Sequence, residues 1–62
     1  MAQMPWRTLR ETVGLSQREV ARRTGISSGK LSIIERGVEP TEEERRKLLA
    51  VLVPILSGED VK

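Results

Sequence analysis

The 62-residue chain has no cysteine and no histidine. The first absence removes disulfide staples. Together they remove zinc sites of the usual kind and any Ser-His or Cys-His nucleophile pair. Phenylalanine and tyrosine are also missing, which leaves Trp6 as the sole aromatic. No apolar run reaches the roughly 18 residues of a membrane span, and no apolar signal-peptide region opens the N-terminus. The expectation is one domain over residues 1–62, held by packing, cytoplasmic, with no cofactor, no metal and no membrane partner. A domain this short buries only a modest share of its surface, so self-association is one route to added stability. Catalysis is the least supported class. The sequence offers neither a metal cluster nor a paired-carboxylate pocket, and little chain from which to build a cleft.

What is present is charge, unevenly spread. Residues 1–36 carry seven Lys/Arg against three Glu, a net of +4, and residues 37–62 carry four basic against six acidic side chains, a net of −2. A basic half joined to an acidic half is consistent with one face for a polyanion, and equally with ordinary solvated surface.

Helical signals follow one another without any strand alternation. The first segment runs from about Pro5, suited to a first helical position, to Thr12, with Trp6, Leu9 and Val13 on one face. That stripe makes Trp6 a core residue more readily than a base-stacking one. The second starts at Ser16, which forms a capping box with Glu19, and stops at Gly25. The third is capped by Ser27, carries Leu31 and Ile34 inward and ends near Arg36 and Gly37. In the fourth, Thr41 and Glu44 make a second capping box, with Glu42–Arg46 and Glu43–Lys47 spaced for i, i+4 pairing. Pro54 should end or kink it near Val53. The tail from Ser57 onward reads as frayed.

The stretch 25–30, Gly-Ile-Ser-Ser-Gly-Lys, looks at first like a nucleotide-binding loop. That loop needs four residues between its glycines, a Ser or Thr after the lysine, and a preceding strand. Here three residues intervene, Leu31 follows Lys30, and helices flank the run. A short glycine-containing link between two helices is instead the helix-turn-helix arrangement, whose second helix enters a DNA major groove.

Residues 17–36, QREVARRTGISSGKLSIIER, resemble the helix-turn-helix of phage repressor and Cro-type proteins. Gln17 opens the unit, Ala21 is the small residue where the helices meet, Gly25 is the turn glycine, and Val20, Ile26, Leu31 and Ile34 hold the apolar positions. With the flanking helices the resemblance covers about residues 5–53. It implies an all-α, small four-helix bundle of lambda-repressor-like type, with the helix-turn-helix unit at 17–36 and an apolar C-terminal helix at 41–56. It also implies a double-stranded DNA partner and a nucleoid-associated place in the cell. The chain departs from the pattern at Thr24, where relatives carry a larger apolar residue. It departs again at Val38-Glu39-Pro40, where they often carry basic contacts, so Glu39 is expected to weaken DNA binding. A compact fifth helix is also lacking.

In the docking geometry this implies, the early outward positions of the third helix face bases: Ser28, Gly29, Lys30, Ser32 and Ile33. Lys30 is a long donor for guanine or phosphate, the serines are short donors and acceptors, and Ile33 suits a thymine methyl. Gly29 costs about 1 kcal/mol in a helix relative to Ala, which is explained either by close approach to DNA or by tolerance near a helix end. Gln17 and Ser27, at helix starts, suit phosphate oxygens, as do Arg18, Arg36 and Arg10. Arg22 and Arg23 are as readily plain surface. The resemblance further pairs Arg10 with Glu35 as a structural ion pair that orients the DNA face.

Residues 48–56, LLAVLVPIL, are apolar on almost every side, more than one core stripe uses. With Leu48 and Leu52 closing the core, Leu49, Val53, Ile55 and Leu56 are left to form a homodimer or protein-partner surface, unless a short domain spends them all on itself. A dimer would read half-sites about 34–36 Å apart. The leading expectation is a sequence-specific DNA-binding repressor. The alternative is a protein-interaction module, antitoxin-like or scaffolding, that uses the apolar C-terminal segment.

Overall fold

The computed structural model describes residues 5–58. It contains α1 (Trp6–Thr12), α2 (Gln17–Thr24), α3 (Ser28–Glu35) and α4 (Glu42–Leu56), with no strand among the described residues. Of the tail expected to be frayed from Ser57 onward, residues 59–62 lie outside that range, while the amides of Ser57 and Gly58 are held by the Val53 and Ile55 carbonyls at 3.0 and 3.1 Å. The protein is a small all-α fold.

Helices of seven or eight residues are too short to hold themselves in water, so packing must hold them. Trp6, Val20, Ile26, Leu31, Ile34, Leu48 and Leu52 form one buried cluster fed by all four helices and by the α2–α3 turn. Leu9, Val13, Leu15, Ala21, Leu49 and Val51 close around it. α2 makes the broadest contacts, against α3 and α4. Trp6 is core, as its stripe implied.

Local chemistry explains most boundaries. Ser16, Ser27 and Thr41 each cap a helix through a side-chain oxygen that accepts the amide three residues on. Gly25 adopts the left-handed conformation at φ 81° and donates its amide to the Ala21 carbonyl, which turns the chain sharply between α2 and α3. At the end of α3, the amides of Gly37 and Val38 return to the carbonyls of Ile34 and Ile33 at 3.1 and 3.0 Å. This is a Schellman closure, with Gly37 at φ 127°.

Several expectations are corrected. Pro5 is the N-cap of α1, not its first helical residue. Thr41 and Glu44 form a full capping box, but Ser16 and Glu19 make only half of one. The Glu19 carboxylate turns away to Arg22 and Arg23, at 2.8 and 2.9 Å, because two cations outbid one backbone amide. Glu43–Lys47 closes at 3.6 Å, while Arg46 has no ion-pair partner among the described residues.

Pro54 does not end α4, which runs on to Leu56. Proline removes the bond to the Ala50 carbonyl, but Ala50 is exposed, so water can take its place. The Ser57 amide and hydroxyl both bind the Val53 carbonyl at 3.0 Å and hold the last turn.

Thr24 packs better than its polarity suggested. It is buried, and its hydroxyl donates to the Val20 carbonyl at 2.8 Å while accepting the Ile26 amide at 3.1 Å. Both halves of the hydroxyl are satisfied, so its burial leaves no orphan side-chain polar atom at the corner between α2 and α3.

On α4, Leu49, Val53 and Leu56 fall on one stripe at i, i+4, i+7. Val53 and Leu56 are exposed and Leu49 is half-buried. Ile55 is half-buried and comes off the helix about 200° round from Val53, so it does not extend that stripe.

Candidate nucleic-acid interface

The helix-turn-helix unit is built by α2, the Gly25–Ile26–Ser27 turn and α3. Ile26 anchors the turn in the core, and Leu31 and Ile34 anchor α3. At about 100° per residue, Gly29, Ser32, Ile33 and Arg36 therefore share the opposite arc, with Ser28 and Lys30 on its two flanks. Ser28, Gly29, Ile33 and Arg36 are exposed, and Ser32 is half-buried. Gly29 has an ordinary helical conformation with nothing within 4 Å of where a Cβ would sit. The fold itself does not require glycine there.

A second group fixes the angle of this unit against α1. The Arg10 guanidinium is bidentate to Glu35, with Nε to Oε2 at 2.7 Å and Nη2 to Oε1 at 3.2 Å. Its Nη1 donates to the Leu15 carbonyl at 2.9 Å, and the Gln17 side-chain amide donates to Glu35 Oε1 at 3.0 Å. One carboxylate thus ties α1, α2 and α3 together. The side chains of Arg10 and Glu35 retain only 15% and 8% of their exposure. Burial pushes the Glu35 carboxyl up, but hydrogen bonds from Arg10 and Gln17, with the attraction of nearby arginines, outweigh it and hold it below its ordinary value. The hydrogen bond to Glu35 holds the Arg10 guanidinium above its own.

This frame changes how two expected phosphate contacts stand. Arg10 is spent largely on Glu35 and Leu15. Gln17 spends a side-chain N–H on Glu35, which leaves its backbone N–H, at the first position of α2, without an intrahelical acceptor. Ser27 is exposed, and its hydroxyl accepts the Lys30 amide. Arg18 and Arg36 are exposed and have no ion-pair partner among the described residues.

Lys30, expected to face outward, is corrected. It is half-buried, with Nζ 3.3 Å from Glu44 Oε2 at the start of α4. The Thr41 amide, which Glu44 caps, and then Lys30 hold the Glu44 carboxyl below its ordinary value. A groove of about 320 Å³ lies here, where Lys30 and Lys47 oppose Glu43 and Glu44. Its charges balance within the protein. Sequence reasoning missed Glu44 as the partner of Lys30, and it missed Val38, which is 50% exposed beside the end of α3. Neither had a local signal: one is a contact across 14 positions, the other depends on how the loop lies.

A model of the helix-turn-helix domain matches residues 7–53, which takes in nearly all of α1, all of α2 and α3 and most of α4. No curated protein and no solved structure matches the chain. The motif assembled above and this match agree: the chain belongs to the family of DNA-binding helix-turn-helix domains.

Proposed function

We propose that the protein is a sequence-specific regulator of transcription, of the phage repressor and Cro type, that represses by occupying an operator with α3 in the major groove. The observation that carries this is the open arc of α3, with two exposed arginines, Arg18 on α2 and Arg36 at the end of α3, that have no ion-pair partner among the described residues, on a unit held by the part-buried Arg10–Glu35–Gln17 frame. Free cations supply sequence-independent attraction to phosphate, and base-edge contacts supply choice. In this reading Ser28, Gly29, Ser32 and Ile33 face bases. The starts of α2 and α3, at Gln17 and Ser27, meet phosphates together with Arg18 and Arg36. Lys30 joins them by exchanging Glu44 for a DNA acceptor, a cheap exchange because ion pairs this open to solvent contribute little to stability. The protein would then work on the nucleoid, inside the cytoplasm.

The test is selection from a randomised duplex library at moderate salt. An enriched palindrome with half-sites about one helical turn apart supports a dimeric operator reader. A single short site supports a monomer, and no enrichment refutes sequence-specific binding.

A homodimer seam, or a surface for a protein partner, is proposed on the Leu49–Val53–Leu56 stripe. The support is the exposure of Val53 at 47% and Leu56 at 43% beside a half-buried Leu49. This stripe also supports the second reading, a protein-interaction module. Sedimentation equilibrium at high micromolar concentration separates the cases. Self-association that Val53→Glu abolishes supports the dimer, and a monomer throughout refutes it.

A further inference from the structure

The turn that closes α3 leaves an apolar feature of which the base-facing assignment takes up only half, Ile33. The Schellman closure sets Val38, three residues past the end of the helix, beside Ile33, two residues before that end, through the 3.0 Å bond from the Val38 amide to the Ile33 carbonyl. Apolar residues at these two places commonly bury against each other. Here Ile33 remains 38% and Val38 50% exposed, two of the four large apolar side chains left in water among the described residues. The cap accounts for their nearness and not for the surface they leave open.

The neighbours define the occupant. Arg36, between them in the chain, is exposed with no ion-pair partner among the described residues. A partner here must carry negative charge and a small apolar group. Two side chains make a patch far below the roughly 800 Å² per partner of a stable protein interface. They match the scale of a single methyl group. The DNA major groove offers one such group, the C5-methyl of thymine.

We infer that Ile33 and Val38 together form an apolar reading element that selects thymine at the position facing the C-terminal end of α3. The inference rests on the DNA-binding reading and on the thymine contact expected of Ile33, and it adds a second residue, Val38, on the loop, so that the two act as one reading element. Glu39 follows directly and turns anionic phosphate away from the loop beyond, which confines the close contact to Ile33 and Val38.

The test uses duplexes selected by the wild-type chain. Each thymine is replaced in turn by deoxyuridine, which deletes only the methyl. Binding is measured for wild type, Ile33→Ala, Ile33→Val and Val38→Ala, with melting checked for each. One or two positions per half-site should lose about fourfold in affinity for wild type, the worth of one methyl withdrawn from water. That penalty should vanish in Ile33→Ala, shrink in Val38→Ala and be intermediate in Ile33→Val, which keeps the branched shape and the fold. The slope of affinity against salt should not change. Binding of every deoxyuridine duplex as tightly as its parent overturns the inference alone, as does a penalty that persists undiminished in all three variants. Failure to bind any duplex at low salt overturns this inference and the DNA-binding reading together.

Discussion

Replacing Glu35 by glutamine tests the frame that holds the DNA-binding unit together. The carboxylate accepts three side-chain hydrogen bonds, two from Arg10 and one from Gln17. Glutamine keeps the shape, but it loses the charge and replaces one acceptor oxygen with a donor. If the NH2 takes the Oε2 place it faces Arg10 Nε. If it takes the Oε1 place it faces Arg10 Nη2 and Gln17 Nε2. Either way donors confront donors. Breaking a buried pair costs about 3–5 kcal/mol and an exposed one about 1 or less. With 15% and 8% of side-chain exposure remaining, this pair lies near the buried end, and about 2–3 kcal/mol is expected. The whole stability of a chain this size is about 3–9 kcal/mol. The melting temperature should therefore fall by about 10–20 °C, measured by circular dichroism and urea unfolding. In a double-mutant cycle, the costs of Arg10→Met and Glu35→Gln should fail to add.

The acid limb gives a second readout of the same group. Because the folded state lowers the Glu35 pKa from its ordinary 4.5, the contribution is complete above that value. It is lost as pH falls through the lowered one, since the unfolded chain takes up its proton first. Glu35→Gln should be flatter than wild type over this range. An unchanged melting temperature together with unchanged DNA affinity would refute the frame.

Thr24→Val removes the hydroxyl that serves both the Val20 carbonyl and the Ile26 amide, and unfolding in urea should show a loss of about 1–3 kcal/mol from the orphaned amide. Leu52→Ala, at 1% exposure in the centre of the core, should cost about 2–5 kcal/mol in the same assay. Gly29→Ala meets open space and should stabilise the helix by about 0.5–1 kcal/mol. If α3 approaches DNA closely at that point, duplex binding weakens while melting rises, and unchanged binding refutes the close approach. Lys30→Ala should leave melting nearly unchanged, because its pair with Glu44 is part-exposed. A loss of affinity that is uniform across duplex sequences marks a phosphate contact, and a loss confined to one sequence, of about 1–3 kcal/mol, marks a base contact.

The four helices were legible in the chain because their signals act within about four residues. Ser16, Ser27 and Thr41 accept amides three positions on, Gly25 and Gly37 provide left-handed stops, and the apolar spacing that sends Leu31 and Ile34 inward needs no knowledge of a neighbour. The Arg10–Glu35 pair was legible only through resemblance, since the two lie 25 positions apart. Where partners compete for one side chain, the folded structure decided the outcome, within one helix for Glu19 and across helices for Lys30. Glu19 has an amide behind it and two arginines ahead, and it goes to the arginines. Lys30 has open solvent on one side and Glu44 on the other, and it goes to Glu44. Pro54 breaks one bond in a helix whose next turn is secured by Ser57, so α4 continues. Ile33 and Val38 remain exposed where the chain leaves α3, with no helix over them among the described residues. A local motif states which contacts a residue can make. Which of them it makes depends on what the packed helices bring within reach.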